Sequence, residues 1–210
     1  MTGAVALAAC YLAGAIPFGL VVGLVTRGID IRKFGSGNIG ASNVLRTLGI
    51  GPALLVFALD TAKGLFAVLL CGWLGLNHYW VVAGALLSVF GHTFSCFLNF
   101  RGGKGVATSL GVIIGLNWVI ASIAFGLWLL IVAVTRYISV ASIIASLSVP
   151  LQMVFWKSMH VPAAYQALAG VAALAIVVKH RSNVGRLLSG TEPRIGQRVC
   201  VDGKGEHLEQ

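Results

Sequence analysis

Long apolar stretches separated by short polar segments dominate this 210-residue chain. A helix that crosses a bilayer needs about 20 mostly apolar residues, and five stretches approach that length. A sixth, without charged residues, runs from Val106 to Thr135. As one helix it would be about 45 Å long, too long for a hydrocarbon core of about 30 Å, so we predict a break at 115–118. The seven predicted spans are 4–25, 52–74, 80–98, a short 106–116, 118–135, 138–156 and 162–179.

The distribution of basic residues favours seven spans over six. With seven spans and the N-terminus outside, 13 of the 15 Lys and Arg residues lie in cytoplasmic segments. Six spans would move Arg136 and the basic tail outside, against the positive-inside rule. Six spans would also move Lys157 inside, whereas in the seven-span topology Lys157 lies outside and Lys63 lies within a span. The cytoplasmic basic residues are Arg27, Arg32, Lys33, Arg46, Arg101, Lys104, Arg136, Lys179, Arg181, Arg186, Arg194, Arg198 and Lys204.

The composition is that of a membrane protein. Hydrophobic residues make up 58% of the chain and charged residues only 10%, with a mean hydropathy of +0.92, whereas soluble proteins carry roughly 25% charged residues. We expect an all-α, polytopic membrane helical bundle, with one domain over 1–198 and a polar cytoplasmic tail over 199–210. The net charge of +9 fits cytoplasmic loops and anionic ligands, so no nucleic-acid partner is expected. The four cysteines are scattered, and we expect neither a metal site nor a cofactor.

Small and polar residues concentrate in three segments that this topology places on the cytoplasmic side. The first covers 26–51, the second 99–105, and the third begins at 179–183. Glycines let backbone N–H groups approach an anion closely, and Arg and Lys neutralise it. The three segments therefore predict a site for phosphate-like groups at the membrane surface. The residues concerned are Ser36, Asn43, Arg46, Gly102, Gly103, Lys104, Gly105, His180 and Asn183.

The first segment also contains a G-x-G-x-x-G pattern over 35–40. This pattern marks dinucleotide sites when it follows a buried strand. Here the preceding segment, 28–34, is too short and too charged to be a buried strand. The acidic residue at the distance expected for binding the ribose, Asp60, lies in a predicted span. A P-loop ending at Lys104 fails as well, because Leu98 replaces its first glycine and Gly105 its Ser or Thr. Neither nucleotide interpretation holds.

Several polar residues lie near or within the predicted spans, and each can have either a functional or a structural role. Asp60 and Lys63 stand three residues apart, and ionisable groups inside a membrane are functional candidates. The same spacing allows a mutually neutralising pair that ties helices together. His92, near the inner end of the third span, is either an interhelical hydrogen-bonding residue or a catalyst. Ser142 either contacts substrate or bonds to its own helix backbone.

The chain resembles the bacterial integral-membrane acyl-phosphate:glycerol-3-phosphate acyltransferases. The similar runs are GSGNIGASNVLRTLG (35–49), GHTFSCFLNFRGGKGVATSLG (91–111) and KHRSNVGRLLSGTE (179–192), with LDTAKG (59–64) and YISVASI (137–143). The resemblance implies transfer of an acyl group from a fatty acyl phosphate to the 1-hydroxyl of glycerol 3-phosphate. The products would be lysophosphatidic acid and phosphate, in the first acylation of phospholipid synthesis. It further implies a multi-pass protein of the bacterial inner membrane with a cytoplasmic active site, functionally coupled to the enzyme that makes acyl phosphate.

The resemblance also assigns roles to residues. An acyl phosphate is already activated, so the enzyme must hold two phosphates, align the hydroxyl and stabilise developing charge. The alternative function is transport of a small organic phosphate, but the polar groups gather on one side and no two-fold repeat is visible. The implied catalytic residues are Ser36, Arg46, His180 and Asn183; the implied substrate-binding residues are Gly102, Gly103, Lys104, Gly105, Ser142 and Asn43; Glu192 has a largely structural role.

Overall fold

The structure, a computed structural model, describes residues 1–156 and 160–197 and the backbone of two short strands. Lys157, Arg198 and Lys204 lie outside the described residues. The strands β1 (Cys200–Val201) and β2 (His207–Leu208) pair antiparallel in the predicted tail. The helices of the described chain are α1 (Thr2–Ala15), α2 (Phe18–Arg27), α3 (Ala41–Leu48), α4 (Ile50–Trp73), α5 (His78–Thr93), α6 (Val106–Leu116), α7 (Trp118–Thr135), α8 (Ile138–Phe155), α9 (Ala163–Lys179) and α10 (Arg181–Leu188).

The expected helical membrane bundle is confirmed, with the paired tail strands as an addition to the all-α prediction. Four helical segments are long and apolar enough to cross a membrane: α4, α7, α8, and α5 extended through a 3₁₀ turn to Leu98. Two further spans are possible if the bent pairs α1–α2 (42°) and α9–α10 (50°) each count as one. Helix α6 is apolar but has only 11 residues.

The first predicted span is not one continuous helix. The chain breaks between α1 and α2 because Pro17 has no N–H, and a proline disfavours helical geometry at the residue before it. The carbonyl oxygens at the break are bonded from elsewhere in the chain, as an apolar environment requires. Ser95 Oγ donates to Ala15 O at 2.6 Å, and Lys63 Nζ donates to Ile16 O at 3.1 Å.

The predicted break between the fourth and fifth apolar segments is confirmed. Asn117 separates α6 from α7, and its side-chain oxygen accepts hydrogen bonds from Val119 N and Ile120 N, both at 3.1 Å. Such a cap satisfies N–H groups that the first helical turn leaves free. Helix α6 is therefore short because Asn117, the residue after it, caps the start of α7.

Two apolar cores of the described residues hold the bundle and its 26–51 segment. The larger core lies among α1, α4, α5, α6, α7, α8 and α9 and includes Cys10, Ala67 and Ile120. A smaller core packs Ile31, Ile39 and Val44 against Val56 of α4. Because these four side chains are almost fully buried, the 26–51 segment is fastened to the bundle.

Candidate active site

The first segment is shaped around the carboxamide of Asn43, which is fully buried at the start of α3. Its Oδ1 accepts from Ser36 N at 2.9 Å, and its Nδ2 donates to Ile31 O at 3.1 Å and Phe34 O at 3.0 Å. Gly35 has a positive φ of 58°, and a Cβ there would overlap Asn43 Oδ1. The amide thus fixes the turn that presents Ser36.

Arg46, on the last turn of α3, reaches back to this turn. Its Nη2 donates to Ser36 Oγ at 3.0 Å. Burial lowers the pKa of the Arg46 guanidinium, the Glu192 carboxylate raises it, and the Arg186 charge lowers it further. Arg46 Nε is buried and has no hydrogen-bond partner among the described residues. A buried donor of this kind suits an anion.

The second segment folds back against the end of α5. Gly102 N donates to Thr93 O and Gly103 N donates to His92 O, both at 3.0 Å. These two N–H groups are therefore already engaged by the backbone. A Cβ on Gly103 would overlap the His92 imidazole, so the glycine lets the loop lie against that ring. Gly105, with φ of 79°, then turns the chain into α6.

Lys104 joins the second segment to the third. Its Nζ donates to Asn183 Oδ1, and Asn183 Nδ2 donates to Glu192 Oε1 at 2.6 Å. Arg186 Nε donates to Glu192 Oε2 at 2.8 Å. The carboxylate therefore orients both the amide and the guanidinium, which agrees with the structural role implied for Glu192.

The charges of this network shift the pKa of its members. Burial lowers the pKa of the Lys104 ammonium to about 8; Glu192 raises it, and Arg186 and Arg46 lower it. Burial of the Glu192 carboxyl raises its pKa, but hydrogen bonds from Asn183, Ser139 and Arg186 outweigh this and leave it below the usual value. Three cations thus lie close enough to influence one another around a single carboxylate.

His180 lies between α9 and α10 and is 3% exposed. Its Nδ1 lies 2.8 Å from Ile176 O, which can only accept a hydrogen bond, so the neutral ring carries its proton on Nδ1. Nε2 is then a hydrogen-bond acceptor. Burial, followed by the charge of Lys104, lowers the pKa of His180 to about 4. The ring is therefore a neutral acceptor beside the Lys104 ammonium.

Ser142 is buried on α8, where its Oγ accepts a hydrogen bond from Trp128 Nε1 at 3.2 Å. Within the described residues no hydrogen bond links Ser142 to the Lys104 network. Ser139, one turn earlier, is also buried, and its hydroxyl is among the groups that lower the pKa of the Glu192 carboxyl. Ser142 and Ser139 thus both lie in the first turns of α8, Ser142 bonded to Trp128 and Ser139 near the Glu192 carboxylate.

Sequence reasoning missed Arg186 as a site residue. Its charge acts on both Arg46 and Lys104, and its guanidinium is bonded to Glu192. The sequence feature that could have identified Arg186 is its position three residues after Asn183, which places both on one face of a helix. The described residues place no group of three His, Cys, Asp or Glu side chains where it could hold a metal ion.

A polar cleft of about 650 Å³ opens between the first and second segments. The first segment lines it with the basic side chains of Arg32 and Lys33, and the second segment with Arg101 and Gly102. Arg32 is paired with Asp30 at 2.6 Å. The cleft gives an anionic solute a positively charged surface next to the loop that carries Lys104.

Comparisons with known proteins place almost the whole chain in one family. The profile of the family described as "Glycerol-3-phosphate acyltransferase" matches residues 4–190. A glycerol-3-phosphate acyltransferase of Synechococcus sp. (strain JA-2-3B'a(2-13)) is 48% identical over 198 residues, which is 94% of this chain and 97% of that protein. One from Gloeobacter violaceus is 45% identical, over 90% of this chain and 93% of its own.

A solved structure is also similar over almost the whole chain. The crystal structure of PlsY (YgiH), an integral membrane glycerol 3-phosphate acyltransferase, in its glycerol 3-phosphate form, has a TM-score of 0.86 and 38% identity, covering 93% of this chain and 96% of that one. Its lysophosphatidic acid form gives a TM-score of 0.84, with 94% and 97% covered. The chain therefore belongs to the glycerol-3-phosphate acyltransferase family of integral membrane enzymes.

Proposed function

We propose that the protein transfers the acyl group of a fatty acyl phosphate to the 1-hydroxyl of glycerol 3-phosphate, giving lysophosphatidic acid and phosphate. The observation that carries the proposal is the convergence of Lys104, Arg46 and Arg186 on one site around Glu192. Family membership supports it, as does the similarity to an enzyme solved in glycerol 3-phosphate and lysophosphatidic acid forms.

The three cations suit a reaction with phosphate on both substrates. The hydroxyl oxygen attacks the acyl carbonyl carbon, the carbon–oxygen bond to phosphate breaks, and phosphate leaves. Because the acyl phosphate is an activated mixed anhydride, no covalent enzyme intermediate is needed. Arg46 and Lys104 neutralise the phosphates and the charge that develops on the leaving group, and Ser36 donates a hydrogen bond from the position that Arg46 fixes.

The hydroxyl proton goes to His180 Nε2 or to a substrate phosphate. His180 is suited to the task because its Nδ1 is held by Ile176 O, which leaves Nε2 as an acceptor. Bound phosphate would oppose the charge of Lys104, which now depresses the histidine's basicity. Asn183 acts by orienting Lys104, and Asn43 acts by shaping the turn of Ser36.

Other predicted residues contribute through the loop and the helix end. Gly102 and Gly103 allow the close backbone packing that places Lys104, and Gly105 begins α6. Ser142, buried one turn after Ser139, contacts substrate from α8. We propose that the whole unit, 1–198, acts as one acyltransferase domain without a cofactor.

We further propose seven spans, with the N-terminus outside and the site on the cytoplasmic side of the bacterial inner membrane. The spans are α1–α2, α4, α5, α6, α7, α8 and α9, and the positive-inside distribution of basic residues supports this orientation. A cytoplasmic site at the membrane surface suits a lipid-like acyl phosphate and a soluble acceptor. It also places the enzyme where it can receive substrate from the enzyme that makes acyl phosphate.

The test uses purified protein in detergent with palmitoyl phosphate and glycerol 3-phosphate. We expect phosphate release that depends on glycerol 3-phosphate, with an equal amount of lysophosphatidic acid. Palmitoyl-CoA in place of palmitoyl phosphate should give no product. No acceptor-dependent release would contradict the proposal, and uptake of glycerol 3-phosphate into proteoliposomes without acyl transfer would instead establish a transporter.

A further inference from the structure

A buried cluster of three ionisable side chains lies beneath the phosphate site. Asp60, Lys63 and His92 are 2%, 4% and 4% exposed. Lys63 Nζ lies 2.8 Å from Asp60 Oδ1, and His92 Nδ1 lies 3.6 Å from the same oxygen. Ionisable groups buried inside a membrane protein are costly and call for a functional explanation.

Lys63 is explained by the architecture of the bundle. Its Nζ donates to Ile16 O at the break between α1 and α2, and its backbone carbonyl accepts from Ser88 Oγ at 3.2 Å. Asp60 neutralises the ammonium. This half of the cluster ties α4 to α1 and α5, as the sequence spacing allowed. The Asp60–Lys63 pair and its interhelical hydrogen bonds do not explain why His92 lies on the other side of Asp60.

His92 connects the cluster to the second cytoplasmic segment. Its backbone carbonyl accepts from Gly103 N at 3.0 Å. The atoms nearest to a Cβ built on Gly103 are Nε2, Cε1 and Cδ2 of the His92 ring, and the Cβ would overlap them. One edge of the imidazole thus faces Asp60 and the other lies against Gly103, directly before Lys104.

We propose that Asp60 and His92 are positioning residues that fix the Gly102–Lys104 loop and thereby place the Lys104 ammonium for the phosphate of glycerol 3-phosphate. The proposal rests on the proposed function of the site. The ring acts through the loop rather than on substrate, because it is buried and its outer edge is covered by Gly103. Misplacing a phosphate-binding group by about 1 Å can cost about 100-fold in rate.

A double-mutant cycle between His92 and Gly103 tests this directly. Gly103 does not have a positive φ, and the three heavy atoms nearest to a Cβ there all belong to the His92 ring. We expect Gly103→Ala to lower kcat/KM for glycerol 3-phosphate about 100-fold. His92→Ala should raise KM for glycerol 3-phosphate about 10-fold, and the double variant should be no worse than His92→Ala alone, because the added methyl then fills vacated space.

Ser88→Ala is the matched control, since it removes a tie between the same two helices without touching the loop. It should lower Tm and leave KM unchanged. If His92→Ala is recovered unfolded, the cycle is repeated with His92→Gln, which lacks the ring but can donate a hydrogen bond toward Asp60. Two results would overturn the proposal. One is a double variant whose loss in kcat/KM is the product of the two single losses, and the other is a His92→Ala or His92→Gln enzyme with wild-type KM for glycerol 3-phosphate. An inactive wild-type enzyme would contradict the proposed function instead.

Discussion

At the scale of single residues, Lys104 carries a charge that can be lost within an accessible pH range. Its pKa is lowered to about 8, so the free enzyme loses this charge as the pH rises through 8. Glycerol 3-phosphate stays dianionic there, because the second pKa of a phosphate monoester is about 6. We expect KM for glycerol 3-phosphate to rise above pH 8, whereas Lys104→Arg keeps its charge and should show a flatter dependence. Equal pH dependence in both enzymes would assign the titration to another group.

His180 has two functions that substitution can separate. His180→Ala removes both the bond to Ile176 O and the Nε2 acceptor. His180→Asn can keep a donor toward Ile176 O but has no ring nitrogen at the position of Nε2. If Nε2 takes the hydroxyl proton, both variants should lose about 100-fold in kcat while remaining folded by circular dichroism. Activity retained in His180→Asn would leave a substrate phosphate as the proton acceptor.

The residue types of the site were predictable from sequence, but several of their partners were not. Basic and small residues in three polar segments predicted an anion site, and the structure joins Lys104 to Asn183. The sequence could not show that the side-chain amide of Asn43 hydrogen-bonds to backbone groups of its own loop. Nor could it show that the backbone N–H groups of Gly102 and Gly103 donate to carbonyls at the end of α5. Those partners depend on the path of the folded backbone.

At the scale of helices, length and hydropathy located the spans but not every break. The break at Asn117 was predictable because the surrounding apolar stretch is too long for one span and too short for two. The break at Pro17 was missed because 4–25 has the length of one span. The carbonyl oxygens at this break accept hydrogen bonds from Ser95 and Lys63, which are 80 and 47 residues away in the chain. The local sequence does not indicate partners at such a distance.

Close packing of α4 against α6 depends on one glycine from each helix. A Cβ on Gly111 would overlap Thr61 O, and one on Gly64 would overlap Thr108 O. We expect Gly111→Ala to force these helices apart and destabilise the protein by about 1–3 kcal/mol, seen as a lower Tm in a thermal shift assay. Gly126→Ala on α7, where a Cβ would meet nothing within 4 Å, is the control and should not lower Tm. Equal Tm losses would contradict this account of the packing.

At the scale of the whole molecule, the proposed seven-span orientation predicts that the two chain ends lie on opposite sides of the membrane. Thr2 and Ser189 are both exposed, at the start of α1 and just after α10. In a cysteine-free background, a membrane-impermeant maleimide should label Thr2→Cys in intact spheroplasts and Ser189→Cys only after permeabilisation. Labelling of both from the same side would require an even number of spans.

The convergence of three distant segments into one phosphate site is the central claim, and Lys104 tests it most directly. The measurement is the initial rate of phosphate release from palmitoyl phosphate at varied glycerol 3-phosphate, for the wild type, Lys104→Gln and the exposed Arg27→Gln. A lost charge-assisted contact to phosphate should raise KM in Lys104→Gln by about 10- to 100-fold or abolish turnover, with Arg27→Gln unchanged. A Lys104→Gln enzyme with wild-type KM and kcat would contradict the account.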